Sequence, residues 1–221
     1  MGRNKRKRFA ENADNPHVIG PGKAFYEANS GRWQSEFFQN DHPIHLELAC
    51  GRGEYSLNMG RLFPYQNFIG VDIKGDRIWK GATAARKEGL TNVAFLRCRM
   101  HELGQHFAEN EADSIRIIFP DPRPKKSDAR RRLTFPRYLR IYRQILKAEG
   151  WFRLKTDSDL LFDYTLEQLA NFPIRDLAFT PNLYRSPLLS EHYGIRTRYE
   201  KMWLEEGRTI KYLKCRFLPN D

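Results

Sequence analysis

Cysteine is scarce in this sequence: three among 221 residues, Cys50, Cys98 and Cys215. An odd count at such wide spacing excludes a disulfide framework and offers no zinc-ligand pattern. It implies a reducing compartment, and the expected location is cytoplasmic. Long apolar runs are missing too. No stretch approaches the roughly 18 consecutive apolar residues of a transmembrane helix, so no membrane role is expected. The basic opening MGRNKRKRF has no apolar segment behind it and does not read as a secretory signal. His42 and His45 lack the partner pattern of a metal site, and no metal is expected.

Negative charge is also in short supply. Against 38 lysines and arginines stand 27 acids, a net charge of +11. Such an excess points to a polyanionic partner. It is clustered. One group is Arg3, Lys5, Arg6, Lys7 and Arg8; the other runs from Arg123 to Arg132 and includes Lys125, Lys126, Arg130 and Arg131. Neither group has the interleaved apolar residues of a membrane-surface helix, which favours nucleic acid.

What is present is a regular alternation. Residues 1–40 read as a basic N-terminal tail and an irregular lead-in, punctuated by Asn15-Pro16 and Gly20-Pro21-Gly22. Trp33, Phe37 and Phe38 there read as core. From residue 41 onward, apolar runs of strand length recur at His45–Gly51, Asn67–Ile73, Val93–Cys98, Ser114–Pro120 and Trp151–Asp157. Two more follow at Arg175–Thr180 and Ile210–Phe217. Helical spacing fills the gaps at Glu54–Phe63, Asp76–Gly89, Ala129–Gly150 and Ser158–Leu169. This predicts an α/β domain: a seven-stranded, mostly parallel sheet with helices on both faces and an antiparallel pair at one edge. Ligands of such sheets bind beyond the carboxyl ends of the strands. Gly51–Glu54, Asp72, Cys98–His101, Pro120–Arg132 and Thr156–Asp159 therefore share one rim.

Glu47-Leu-Ala-Cys-Gly51-Arg-Gly53-Glu54 is a strand followed by a glycine turn, and Asp72 ends the next strand. An acid there hydrogen-bonds ribose hydroxyls. A dinucleotide site wants a third glycine where Ser56 stands, and Glu54 would repel a pyrophosphate at the helix start. A cationic ligand without phosphates, such as S-adenosylmethionine, suits the turn better. In IIFPDPRPKK the fourth strand delivers Asp121 to the rim on a proline-stiffened loop. Amino-group methyltransferases carry a similar turn with an aromatic that stacks on the base. None follows at once here, which argues against amino methylation. Each feature also has a plainer reading. Asp121 or Asp157 can be a helix-cap acid. Lys125 and the arginines after it can be a solvated face.

Taken together, FPDPRPKKSDARRRL, LKTD (Leu154–Asp157) and TRYE (Thr197–Glu200) resemble the bacterial tRNA (guanine-N7-)-methyltransferases over roughly residues 45–217. The resemblance implies a Rossmann-like class I methyltransferase domain over 41–221. It also implies S-adenosylmethionine as cofactor and tRNA as substrate, methylated at the variable-loop guanosine 46. Glu47, Gly51, Gly53, Asp72, Arg99 and Asp121 would lie at the cofactor, with Asp121 the catalytic aspartate. Lys125, Asp157, Thr197, Arg198, Tyr199 and Glu200 would bind the guanosine or tRNA. The basic run Arg130, Arg131 and Arg132 would grip phosphates. Three positions depart from the family pattern. Arg123 stands where tryptophan is usual, Ala49 replaces a glycine, and Arg99 stands where the family has an acid after the third strand. A methyltransferase acting on another RNA and a non-catalytic RNA-binding protein are the competing readings. The chain is expected to work as a monomer or homodimer.

Overall fold

The computed structural model describes residues 3–219. Eight strands form one sheet: β1 (Val18–Ile19), β2 (Ile44–Leu48), β3 (Asn67–Val71), β4 (Val93–Leu96), β5 (Ala112–Ile118), β6 (Leu146–Thr156), β7 (Ile174–Thr180) and β8 (Lys211–Phe217). Their order is β1-β4-β3-β2-β5-β6-β8-β7. All neighbours from β1 to β6 run parallel, and β8 is antiparallel to both β6 and β7. The helices are α1 (Arg3–Asp14), α2 (Glu54–Leu62), α3 (Gly75–Glu88), α4 (Leu103–His106), α5 (Pro136–Ile145), α6 (Asp159–Leu169) and α7 (Arg198–Glu205). Among the described residues no helix is long and apolar enough to cross a membrane.

The expected alternation and the antiparallel edge are both present, with three corrections. The sheet has an eighth strand, β1, inside the supposed irregular lead-in. Two residues are too short to show periodicity. They are held by tertiary pairing, with Phe95 N–H donating to His17 O at 2.7 Å and Arg97 N–H to Ile19 O at 2.8 Å. The helix expected to reach Gly150 stops at Ile145, because Leu146 already pairs with Ala112 of β5. Strand pairing overrides the helix preference of LKAE. The tail contains a helix, α1, docked on α3. Asn12 Nδ2 donates to Gly75 O at 2.7 Å, and the Arg97 guanidinium stacks 4.9 Å from the Phe9 ring. A single aromatic anchor amid RNKRKR leaves no amphipathic signature.

The faces of the sheet differ. On one, Ile44, Leu46, Leu48, Ile115, Ile117, Phe152, Leu154, Leu213 and Cys215 alternate into the main core, together with Tyr138, Leu139, Tyr142 and Ile145 of α5. Trp33 is fully buried beside this core and stacks on Phe107 at 5.3 Å. The other face carries Glu47, Arg116, Arg153, Lys155 and Tyr212, all nearly buried. Buried charges need partners. Those for β6 and β8 come from the long connection between β7 and β8, residues 181–210, which lies across this polar face and includes α7.

Candidate active site

The turn after β2 takes three left-handed residues in quick succession: Ala49 (φ 56°), Gly51 (φ 56°) and Gly53 (φ 69°). At Gly53 a Cβ would sit 2.3 Å from the Phe95 ring, so only glycine fits. Ala49 carries a conformational cost in this region that a glycine would not. Ala49→Gly is expected to stabilise the fold by roughly 0.5–1 kcal/mol. Thermal denaturation checks this, and an unchanged midpoint would mean the turn holds no strain there.

Two acids frame the turn. Asp72 Oδ2 accepts from Gly51 N–H at 2.9 Å, and Oδ1 accepts from Lys74 N–H at 2.8 Å. It thereby fixes both the glycine turn and the entry to α3. Glu47 is buried, and its Oε2 accepts from Ser56 N–H at 2.9 Å and from the Ser56 hydroxyl. Ser56 thus uses the third-glycine position to anchor a carboxylate. Burial pushes the Glu47 carboxyl up to about 7 despite those bonds. Arg99, at the end of β4, is exposed, and its N–H donates to Glu102 Oε2 at 3.0 Å. The acid near that strand end is therefore Glu102, three residues on.

Beyond β5 the backbone turns sharply at Phe119 (φ 48°) and again at Arg123 (φ 50°). Bulky residues rarely adopt this region, and such strain concentrates at functional sites. Between them Asp121 projects outward, its side chain 61% exposed. Arg123 N–H donates to Asp121 Oδ1 at 3.1 Å, and Arg123 Nε reaches Oδ2 at 3.1 Å. Asp121 caps no helix. Lys125 and Arg130 are exposed, and exposed Arg131 pairs with Asp128 at 3.1 Å. Arg132 does not join them. It is 6% exposed and donates to Arg123 O, so it is not placed to grip a phosphate. The letters RRR hide this, since burial is decided by α6 packing beneath.

At the end of β6, Asp157 Oδ2 accepts from Arg208 Nη1 at 2.9 Å, and the cap of α6 is Ser158, which accepts from Leu161 N–H at 3.2 Å. Thr197 caps α7 and accepts from Glu200 N–H at 3.3 Å. Arg198 and Tyr199 face solvent, and Arg198 N–H donates to Glu54 Oε2 at 2.8 Å. This bond joins α7 to the first turn of α2. Glu200 is fully buried and is not an open guanine contact. Its carboxylate takes Lys155 Nζ at 2.7 Å, His192 Nε2 at 2.8 Å and the Tyr184 hydroxyl at 3.1 Å. Burial alone would raise the Glu200 carboxyl; His192 and Lys155 outweigh it and hold it below the usual range. Lys155 Nζ also lies 5.5 Å from the rings of Tyr55 and Phe119. It therefore links α2, the Asp121 loop and α7. Sequence reading missed Lys155, His192, Tyr184 and Arg208. The available signal was the alternation of Arg153 and Lys155 with apolar residues in a central strand.

The structure thus gathers the turn of Glu47–Gly53, Asp72, the Asp121 loop, Asp157 and the start of α7 at the carboxyl ends of the parallel strands. A surface groove of about 730 Å³ beside Arg140, Arg143 and Phe172 lies at the opposite end of the strands and contributes nothing to this rim.

A family described as "Putative methyltransferase" matches residues 41–213. A tRNA (guanine-N(7)-)-methyltransferase of Cytophaga hutchinsonii is 47% identical, covering 99% of this chain and 100% of that protein. One from Bacteroides thetaiotaomicron is 44% identical, covering 100% of this chain and 88% of that protein. Among solved structures, the 16S rRNA methyltransferase KamB superposes with a TM-score of 0.65 at 16% identity, over 92% of this chain and 99% of that one. At that identity the likeness shows the class I methyltransferase fold alone. Identity across essentially the whole length decides the rest: the chain belongs to the tRNA (guanine-N(7)-)-methyltransferase family.

Proposed function

We propose that this chain transfers the methyl group of S-adenosylmethionine to N7 of guanosine 46 in the tRNA variable loop, forming 7-methylguanosine. The observation that carries the reading is an outward-facing Asp121 at a strand end, with a carboxylate-framed glycine turn on one side and exposed cations on the other.

Guanine N7 is a lone-pair nucleophile with no proton to lose, so a strong general base is unnecessary. S-adenosylmethionine, when bound, supplies an electrophilic methyl on a sulfonium. Glu47, Gly51, Gly53 and Asp72 would hold it, with Arg99 at the adenine end and Asp121 near the reacting centre. The donor set fits: a buried carboxylate suits a cationic amino acid end, and the glycine turn permits close backbone approach. As positive charge moves onto the base, Asp121 offsets it, and Asp157 is placed to take part once Arg208 yields. Thr197, Arg198 and Tyr199 offer the RNA a platform rigidly joined to the cofactor turn through Glu54. Glu200 contributes from below by fixing that platform. The target base must leave the tRNA stack, and Lys125, Arg130 and Arg131 hold phosphates as it does. Incubation of tRNA with labelled cofactor tests this directly; label retained in tRNA as 7-methylguanosine supports it, and label in any other nucleoside refutes it.

Two further results are expected. A cation bound beside Glu47 favours its ionised form, so cofactor binding releases protons near pH 7 and tightens as pH rises from about 6 to 8. Calorimetry in buffers of different ionisation enthalpy measures this. Glu47→Gln should remove the dependence, and a buffer-independent wild-type heat would contradict the assignment. Separately, Arg130→Glu/Arg131→Glu should weaken tRNA binding and make the slope of log K against log salt shallower by about two. An unchanged slope would place both arginines away from phosphate.

A further inference from the structure

Arg132 is the buried member of its basic block, and its side chain turns inward. Nε and Nη2 donate to the Arg123 carbonyl at 3.2 and 3.1 Å, and the guanidinium lies 4.4 Å from the Tyr164 ring on α6. Its backbone is tied as well: its N–H donates to Ala129 O at 3.0 Å, and its carbonyl accepts from Phe135 N–H at 3.0 Å. Just beyond, the hydroxyls of Thr134 and Thr165 hydrogen-bond to each other at 2.9 Å, pinning the same segment to α6. Arg123 receives this anchor in a left-handed conformation that an arginine does not hold unaided. From that conformation its N–H and Nε reach one Asp121 oxygen each.

We infer that Arg132 is a positioning residue for Asp121. The forked guanidinium fixes the Arg123 carbonyl through two charge-assisted bonds in a buried setting. Arg123, so fixed, clasps both carboxylate oxygens and sets the direction in which Asp121 faces the reacting centre. The Arg123–Asp121 pair is largely exposed and too weak to orient the carboxylate alone. The rigidity comes from α6 through Tyr164 and Arg132. This also gives Arg123 a task in the loop. The inference rests on the proposed role of Asp121.

The test uses full-length Arg132→Met, Arg132→Lys and Tyr164→Leu beside wild type, with tRNA and S-adenosylmethionine. The readouts are single-turnover rate, cofactor Kd and the salt slope of tRNA binding. Lysine keeps the charge but cannot make the fork. Both Arg132 variants are expected to lose at least about tenfold in rate, with cofactor Kd within about threefold and the salt slope unchanged. Tyr164→Leu should lose a few-fold. A rate for Arg132→Met within about twofold of wild type overturns the inference, and so does a slope shallower by about one that lysine restores, the mark of a phosphate ligand. Should Arg132→Met not fold, Tyr164→Leu decides, because an unchanged rate there is equally contrary. A wild type that methylates no guanosine would refute the proposed function instead, so the two failures are distinct.

Discussion

Asp121→Ala is expected to reduce methyl transfer by about 10²–10³-fold while leaving the fold in place. The side chain is mostly solvent-exposed, and its contacts are with Arg123. Surface substitutions of this kind change stability by about 0.5 kcal/mol or less. The loss falls on the reaction instead. In the proposed mechanism positive charge develops on a base that has no proton to shed, and the Asp121 carboxylate at the strand end would offset it. Asp121→Asn keeps the shape and the bond from Arg123 N–H but not the charge, so it should lie close to alanine. Single-turnover rates at saturating tRNA and cofactor measure both variants, with thermal denaturation reporting the fold. Activity within a few-fold of wild type would mean that the charge is supplied elsewhere on the rim, with Asp157 the first candidate.

Lys155→Met is the larger structural lesion. Lys155 and Glu200 are a desolvated pair, 3% and 0% exposed, and removing Lys155 leaves the buried Glu200 carboxylate with only His192 and the Tyr184 hydroxyl. Such breaks cost about 3–5 kcal/mol. Denaturant unfolding should show this loss at neutral pH. The double variant Lys155→Met/Glu200→Gln should recover a large part of it, since neither group is then charged. The pH dependence has a definite sign. In wild type Glu200 is held below the usual carboxylate range, so its contribution is present above about pH 4.3 and is lost as pH falls through the lower folded value. In the variant the Lys155 contribution is lost and only His192 opposes burial, so the Glu200 carboxyl rises relative to wild type and acid neutralises it more readily. The deficit relative to wild type should therefore shrink as pH falls from about 7 toward 4. A deficit that grows in acid would contradict the role of the pair.

How much of this was readable in advance depended on whether the cause was local. The glycine turn, Asp72, and the proline-bounded Asp121 loop were legible because each is set by a few adjacent residues. The spacing of Thr197 and Glu200 is a local helix-start signal, and Thr197 caps α7. What could not be read is set by distant packing. Nothing in RRR shows that Arg132 turns inward onto Tyr164 while Arg130 and Arg131 face water. Nothing in TRYE shows that Glu200 meets Lys155 and His192, 45 and 8 residues away. β1 and α1 were hidden for the same reason, since a two-residue strand and a helix with one aromatic anchor lack periodicity of their own. Arg123 was visible as a departure, but its grip on Asp121 needed the left-handed backbone to be seen.

The most direct test maps 7-methylguanosine by borohydride–aniline cleavage of a tRNA transcript incubated with the protein and S-adenosylmethionine. Cleavage at guanosine 46 that disappears in a transcript with adenosine there is the predicted result. Cleavage at another guanosine, or an intact transcript under conditions where the protein binds both tRNA and cofactor, would contradict it.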